Sequence, residues 1–517
     1  MKEKSSVENA RKESLELIEK NKMGFLTSFV FYDLTLLAIF VILSVYLLHK
    51  NRANLEKQGI IYLYKAKWGI KLIHYFGKKY KRILGVLSYV SVIVGYALMM
   101  CMIFLFAQAV YIYVKFPEVT KIVKAPPIVP VIPYFTNIFG LESYFPPFYF
   151  TYFIIAVSFV AIVHEFSHGI FASYNKLKIK STGLAFLGPI LGAFVEPDEK
   201  AMQKKPVFGQ LSILSAGVLA NLFFAFIFYV ILLLFFINFF TPAGVYFTGY
   251  ASGIVNSSDI TSINGIPIQG VNNEMVLNII EAKNIKDEQI GNFNLTEIAI
   301  GNQSVLIPLD NLKLIFSSNQ RAVVLLDSPA IKSGFPLVNL INKATITELN
   351  NVKIESHQQL SNEIIKYSPG ENISIKIKYN KEEKIYNLTL EKHPNNPKIG
   401  YIGITSQTTG SGFTGRLLSK INFYKNPEID YKPTRNANLV ILVHDFLWWI
   451  ALINLLVALF NMLPLGILDG GRFFYLTIFS ITKSEKAAKI VSSAITYIIL
   501  GLLGLIMLIW FFQVFVV

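Results

Sequence analysis

Charge is scarce in this sequence: of 517 residues, 16% are Asp, Glu, Lys or Arg against 53% apolar, and the mean hydropathy is +0.48. An ordinary soluble domain carries about 25% charged residues, so a wholly soluble chain is excluded. Cysteine is nearly absent as well. The single Cys101 excludes an intrachain disulfide framework and a metal centre built on several thiolates. Acids are fewer than bases, 33 against 48, for a net charge of +15. In so apolar a chain that surplus points to orientation in a bilayer before it points to nucleic acid.

Long apolar runs take up the balance. A bilayer core about 30 Å thick needs about 20 apolar residues in a helix. Six segments qualify, at roughly residues 25–48, 84–113, 148–173, 207–240, 439–464 and 490–515. The first comes after a polar stretch of 24 residues, is too long for a signal peptide and lacks a small-residue cleavage site, so it reads as a retained helix. The expected fold class is a polytopic α-helical membrane protein of about six transmembrane helices, with an inserted α+β region.

Loop charge sets the expected sidedness. Residues 50–82 hold ten Lys and Arg against one acid, Glu56. Lys176, Lys178, Lys180, Lys200, Lys204 and Lys205 come after the third span, and Arg472, Lys483, Lys486 and Lys489 separate the last two. These loops are expected on the cytoplasmic side, which leaves both termini and the polar stretch 242–437 outside. The aromatic and basic run IIYLYKAKWGIKLIHYFGKKYKR, at 60–82, suits an amphipathic segment on the lipid bilayer better than a nucleic-acid patch.

Within 242–437 the sequence repeats itself. DITSINGIPIQ (259–269) aligns with TITELNNVKIE (345–355), and each copy reads as strand, tight turn, strand. After the second copy Ser356 and Gln359 have capping-box spacing for a helix through Ile365. A period-two hairpin, ISIKIKY then KIYNLTL, comes next. With DSPAIKSGFP before it, the second copy resembles a PDZ domain, and the first does so more weakly. That resemblance implies capture of an extended peptide by strand addition. Five glycosylation sequons, Asn256, Asn294, Asn302, Asn372 and Asn387, all fall in the insert, as suits a non-cytoplasmic face.

The third span carries VAIVHEFSHGIFA, which is an HExxH motif at His164, Glu165 and His168. Positions i and i+4 share a helical face, so two imidazoles can bind one metal ion while the carboxylate between them serves as general base. Three ionisable groups in five positions of an apolar span are costly without a compensating cation. A third ligand is still needed. Asp469, in NMLPLGILDGGR at the cytoplasmic end of the fifth span, is expected at the same depth as His168, with Pro464 breaking the helix and Gly470 and Gly471 allowing a sharp turn. His49, His74, His357, His393 and His444 are poorly placed for the role. Asp33, about nine residues into the first span, reads as an acid at the outer interface without a catalytic role.

HExxH in one span, NxxPxxxxDG in a later one and a PDZ-like insert between them resemble the site-2 protease family of intramembrane zinc metalloproteases. SAGVLAN, at 215–221, is similar to a further motif of the family, with Val218 where Pro is common. The resemblance implies one Zn²⁺ held by His164, His168 and Asp469, and Glu165 as the catalytic base toward a water. It also implies Asn221 and Asn461 as groups that hold an unwound substrate backbone. GLAFLGPILGAFVEPDEK, at 183–200, is similar to the family's membrane-dipping hairpin. The expected activity is hydrolysis of peptide bonds in transmembrane segments of membrane-anchored substrates, with the insert taking a peptide ligand and no nucleic-acid partner. Alternatives are a membrane protease with its site outside the bilayer, a non-catalytic scaffold and, more weakly, a transporter.

The expected division is a polar segment at 1–24, two additional helices in 25–147 and the first half of the core at 148–241. Next come PDZ-like copies at 242–325 and 326–410, a linker at 411–437, the second half of the core at 438–475 and a last helix in 476–517.

Overall fold

The computed structural model describes residues 29–515 apart from 51–54, 59–60, 68, 117–125, 130, 140, 142–144, 188–189, 302, 319–320, 340–341, 381, 395 and 407–423. The expected polar segment 1–24, the hairpin tip at Gly188 and Pro189, the sequon at Asn302 and residues 411–423 of the expected linker lie outside the described residues. Two compact units emerge, residues 236–440 and the remainder of the chain.

Among the described residues, the membrane unit holds six helices long and apolar enough to cross a bilayer. They are α1 (Phe29–Lys50), α3 (Lys81–Lys115), α4 (Phe150–Tyr174), α5 (Val207–Phe239), α9 (Ala437–Asn461) and α11 (Glu485–Phe515). Each coincides with one of the six apolar runs, because a backbone with no water to bond satisfies its own polar groups only as a helix. Three further elements occupy the basic stretch before α3. Strands β1 (Leu55–Gln58) and β2 (Ile61–Ala66) form a hairpin, and a ten-residue helix, α2 (Ile70–Lys79), comes after it. After α4 comes the expected hairpin, β3 (Ile179–Leu187) and β4 (Ile190–Pro197). The four strands form one antiparallel sheet in the order β1-β2-β3-β4, with Tyr64 opposite Leu184 and Leu184 opposite Ala193. Gly183 makes the β2–β3 approach possible, since a Cβ there would lie 2.0 Å from the carbonyl oxygen of Tyr64.

Two expectations need correction. The segment between the last two spans is not a plain basic loop: it carries a 14-residue helix, α10 (Asp469–Thr482), whose Phe473 and Leu476 are buried in the core. Asp33, read as an acid at the outer interface, is also buried within the protein. It is 1% exposed and accepts hydrogen bonds from the N–H groups of Phe150 and Thr151, at 2.7 and 2.8 Å, and from the hydroxyls of Thr151 and Tyr134. It therefore caps α4 from another helix, in place of Tyr149, whose side chain makes no cap bond.

The second unit contains the repeat in three dimensions. In the first copy β5 (Ser262–Ile263) turns at Asn264 and Gly265 into β6 (Ile266–Pro267), which leads to helix α6 (Asn273–Ala282). In the second, β9 (Ala344–Leu349) turns at Asn350 and Asn351 into β10 (Val352–Lys353), which leads to α8 (His357–Ile364). All four turn residues have φ between 45° and 76°, the left-handed region for which Asn and Gly are suited. A hairpin then closes each copy, β7 (Phe293–Ile300) with β8 (Gln303–Ile307) and β11 (Asn372–Tyr379) with β12 (Glu382–Thr389). Ser356 accepts from Gln359 N–H at 3.1 Å as expected, but the Gln359 side chain accepts from Glu355 N–H, one residue before the cap.

Beyond the hairpin the two copies diverge. The first continues into α7 (Leu309–Ser318), which buries Leu312, Ile315 and Phe316 in one core with Val276 and Ile280 of α6. The second continues into a strand at Asn396–Tyr401 and leaves a groove of about 390 Å³ beside α8.

Candidate metal centre

His164 and His168 lie one turn apart on α4 and present their Nε2 atoms 3.0 Å from each other. Asp469, the first residue of α10, places Oδ2 at 3.1 Å from the Nε2 of His164 and 3.2 Å from that of His168. Among the described residues this is the one group of three His, Cys, Asp or Glu side chains whose ligand atoms lie within 4.8 Å of one another. Asp469 arrives there because α9 stops at Asn461 and a tight reversal through Pro464 leads into α10. Two glycines allow that reversal. A Cβ on Gly470 would lie 2.4 Å from the carbonyl carbon of Met462, and one on Gly471 would lie 2.1 Å from the carbonyl oxygen of Leu465.

One face of α5 cradles the two imidazoles. The Nδ1 of His168 donates to the carbonyl oxygen of Ile213 at 2.7 Å, and the carboxamide of Asn221 lies 3.1 Å from the Nδ1 of His164. Between them, at i+4 from Ile213, a Cβ on Gly217 would lie 2.6 Å from atoms of both rings. Ile213, Gly217 and Asn221 thus line one stripe at i, i+4 and i+8. With both Nδ1 atoms tethered, the two Nε2 atoms are left for a ligand, which is the usual outer arrangement of a His-bound metal. Two imidazoles and a carboxylate, mutually about 3 Å apart, match the donor set and spacing of a small divalent ion such as Zn²⁺ with a position left open.

Glu165 is held by the sheet: the N–H of Val195 on β4 donates to its Oε2 at 3.1 Å. Asn461, at the end of α9, brings Nδ2 to 3.5 Å from the Nε2 of His164. The six residues singled out in the sequence thus converge on one locus. Asn221 does so on His164, whereas the resemblance implied contact with substrate. Sequence reasoning missed Ile213, Gly217 and Val195. Nothing local in ILSAGVLAN singles out the first two before the imidazoles are laid against them. It also missed Asn454, two turns before Asn461 and fully buried, whose Nδ2 donates to the carbonyl of Ile450 while its Oδ1 has no partner among the described residues. His444 pairs with Asp445 at 2.9 Å, and both are buried.

Helices long and apolar enough to span a membrane, gathering an HExxH pair and a distant aspartate, define a polytopic membrane protein with a candidate metal centre. Residues 152–503 match the model of peptidase family M50, and the chain belongs to that family, the site-2 protease family. It is 33% identical over 183 residues to an uncharacterized protein of Methanocaldococcus jannaschii, an alignment covering 34% of this chain and 43% of the relative. It is 25% identical over 210 residues to the zinc metalloprotease RasP of Shouchella clausii, covering 35% of this chain and 48% of that protein. The chain thus spans less than half the length of these curated relatives.

Proposed function

We propose that this protein is a zinc-dependent intramembrane endopeptidase that hydrolyses peptide bonds within or near the transmembrane segments of membrane-anchored proteins. The observation that carries the reading is the convergence of His164, His168 and Asp469 beside Glu165, with both histidines on a membrane-spanning helix. His164, His168 and Asp469 hold the ion, and Glu165 takes a proton from the attacking water and passes it to the leaving amine. When bound, Zn²⁺ acidifies the water and polarises the scissile carbonyl. With both Nε2 atoms given to an ion, the Nδ1 of His164 would carry the proton, and the Asn221 carboxamide, whose Nδ2 lies 3.1 Å away, would turn so that its Oδ1 accepts that hydrogen bond. That assignment also gives a partner to an oxygen otherwise buried without one. Asn461 is left to position the substrate backbone.

The test is turnover of a model transmembrane substrate by the purified chain in detergent, beside Glu165→Gln. Cleavage by the wild type and none by the variant is expected, while persistent cleavage in the variant would overturn the assignment of Glu165. Metal analysis is expected to find about one Zn²⁺ per chain in both proteins, and its loss in His168→Ala. Zinc retained by that variant removes His168 from the ligand set.

The insert adds a second element to the reading. Its second copy presents the open groove between α8, with Leu360 and Ile364, and residues 399–406, with Ile399, Ile402 and Ile404. An extended peptide with apolar side chains suits that lining, in the manner of the PDZ domain this copy resembles. The topology completes the proposal: both termini and the insert outside, the metal centre near the cytoplasmic side, and no nucleic-acid partner.

A further inference from the structure

Helix α2 exposes one chemistry and buries another. Lys71, Tyr75 and Lys78 form an exposed stripe at i, i+4 and i+7, flanked by Leu72 and Lys79, and Lys81 and Arg82 continue the positive charge into α3. Lys65 on β2 is paired with Glu56 and Glu196, at 2.5 and 3.2 Å, whereas these five bases have no carboxylate partner among the described residues. The ammonium of Lys79 lies over the rings of Tyr75 and Tyr80, at 4.9 and 5.6 Å. Tyr80 alone separates α2 from the spanning helix α3, so Lys78 to Arg82 lie at the boundary of the apolar layer. Bases interleaved with exposed Leu72 and Tyr75 at that depth fit an anionic lipid surface.

The opposite face of α2 rests on α4 just beyond the second histidine. Ile73 is fully buried, and a Cβ on Gly169 would lie 2.9 Å from its Cδ1. The Nδ1 of His74 is 2.9 Å from the Oγ of Ser173, and a Cβ on Gly77 would lie 2.6 Å from that same oxygen. Gly169 also touches Val195, the residue whose N–H holds Glu165. The basic stripe and the turn after HExxH are thus linked by direct packing of α2 on α4.

We propose that α2 is a binding site for anionic lipid headgroups whose occupancy steadies the C-terminal half of α4 and with it the metal-ligating turn. The inference rests on α4 being the catalytic helix, and it adds a regulatory lipid to the proposed protease. Headgroups draw Lys71, Lys78 and Lys79 to the surface, and Ile73, His74 and Gly77 transmit that restraint to Gly169 and Ser173.

The experiment reconstitutes the full chain in vesicles of phosphatidylcholine alone and of phosphatidylcholine with phosphatidylglycerol, and tracks amide exchange over residues 164–174. Slower exchange by several-fold in the anionic vesicles, reversed by high salt, is expected of the wild type. Lys71→Gln/Lys78→Gln/Lys79→Gln is expected to exchange at the same rate in both vesicles. Ile73→Ala is expected to bind the anionic surface as the wild type does and yet show no slowing. Equal exchange of the wild type in both compositions, or an undiminished response in the triple variant, would overturn the proposal. Slowing by a short duplex DNA but not by phosphatidylglycerol would overturn it as well and assign the patch to nucleic acid. Because exchange is read without turnover, a chain that responds to lipid but cleaves nothing refutes the protease reading and leaves this one standing.

Discussion

Asp33 and Thr151 are joined by two hydrogen bonds, from the Thr151 N–H at 2.8 Å and from its hydroxyl, so that a helix lying before the family match caps the helix that carries His164 and His168. Replacing Asp33 by Ala leaves two backbone N–H groups and two hydroxyls unpaired in an apolar setting. We expect a loss of about 1.5–3 kcal/mol, the worth of hydrogen bonds to a charged group, read as a lower melting temperature in detergent. Asp33→Asn keeps an acceptor and should fall between. An Ala variant that melts with the wild type would mean that α1 is held by apolar packing alone.

Gly217 permits the approach of α5 to both imidazoles, and a methyl group there has nowhere to go. Gly217→Ala should lose bound zinc while its helical circular dichroism stays near that of the wild type. Gly501→Ala, on α11 with nothing within 4 Å of the added carbon, is the matched control and should retain the metal. Full zinc occupancy in Gly217→Ala would show that the helices separate freely.

Gly470 and Gly471 play the same part for the third ligand. Alanine at either meets backbone atoms of residues 462–466, which cannot rotate away as a side chain would. Both variants are expected to bind zinc at least 10-fold more weakly than the wild type in competition with a chelator, because Asp469 is pushed out of reach. Unaltered affinity would separate the position of Asp469 from the geometry of the turn.

Glu196, at the end of β4, gives the sheet beside Glu165 a pH dependence. The Ser181 hydroxyl holds its carboxyl below the usual range, burial opposes this, and Lys65 adds to the lowering. A depressed acid contributes stability above its unfolded pKa and loses it as pH falls through the folded one. Amide exchange in β3 and β4 should therefore rise as the medium is acidified below the ordinary glutamate range, and Glu196→Gln should show the faster exchange already at neutral pH. The group is only half-buried, so the change is local. Exchange indifferent to both acid and substitution would exclude this role.

The groove of the second repeat gives a further outcome. Ile365→Lys, which sets a charge at the exposed rim of the groove, should weaken binding of an extended apolar peptide, as read by fluorescence anisotropy, without changing the melting of the chain. Peptide binding undiminished by this change locates the ligand elsewhere.

Six spans, two strand-turn-strand repeats and the three side chains that meet in the candidate metal centre are legible along the chain. Each of these is a local or periodic signal: an apolar run long enough for a bilayer, Asn and Gly where a turn needs positive φ, and an i, i+4 pair of histidines in a span where ionisable groups are costly. The rest depends on which helices touch. Asp33 reads in the sequence as an isolated acid, yet it caps a helix more than a hundred residues away. Gly217 and Ile213 are unremarkable in an apolar helix until two imidazoles are laid against them. The copies of the insert look alike in their turns and differ in whether a helix or a strand succeeds the hairpin. Proximity of this kind is set by how helices and strands far apart in the chain pack together, and no pattern along a single segment records it.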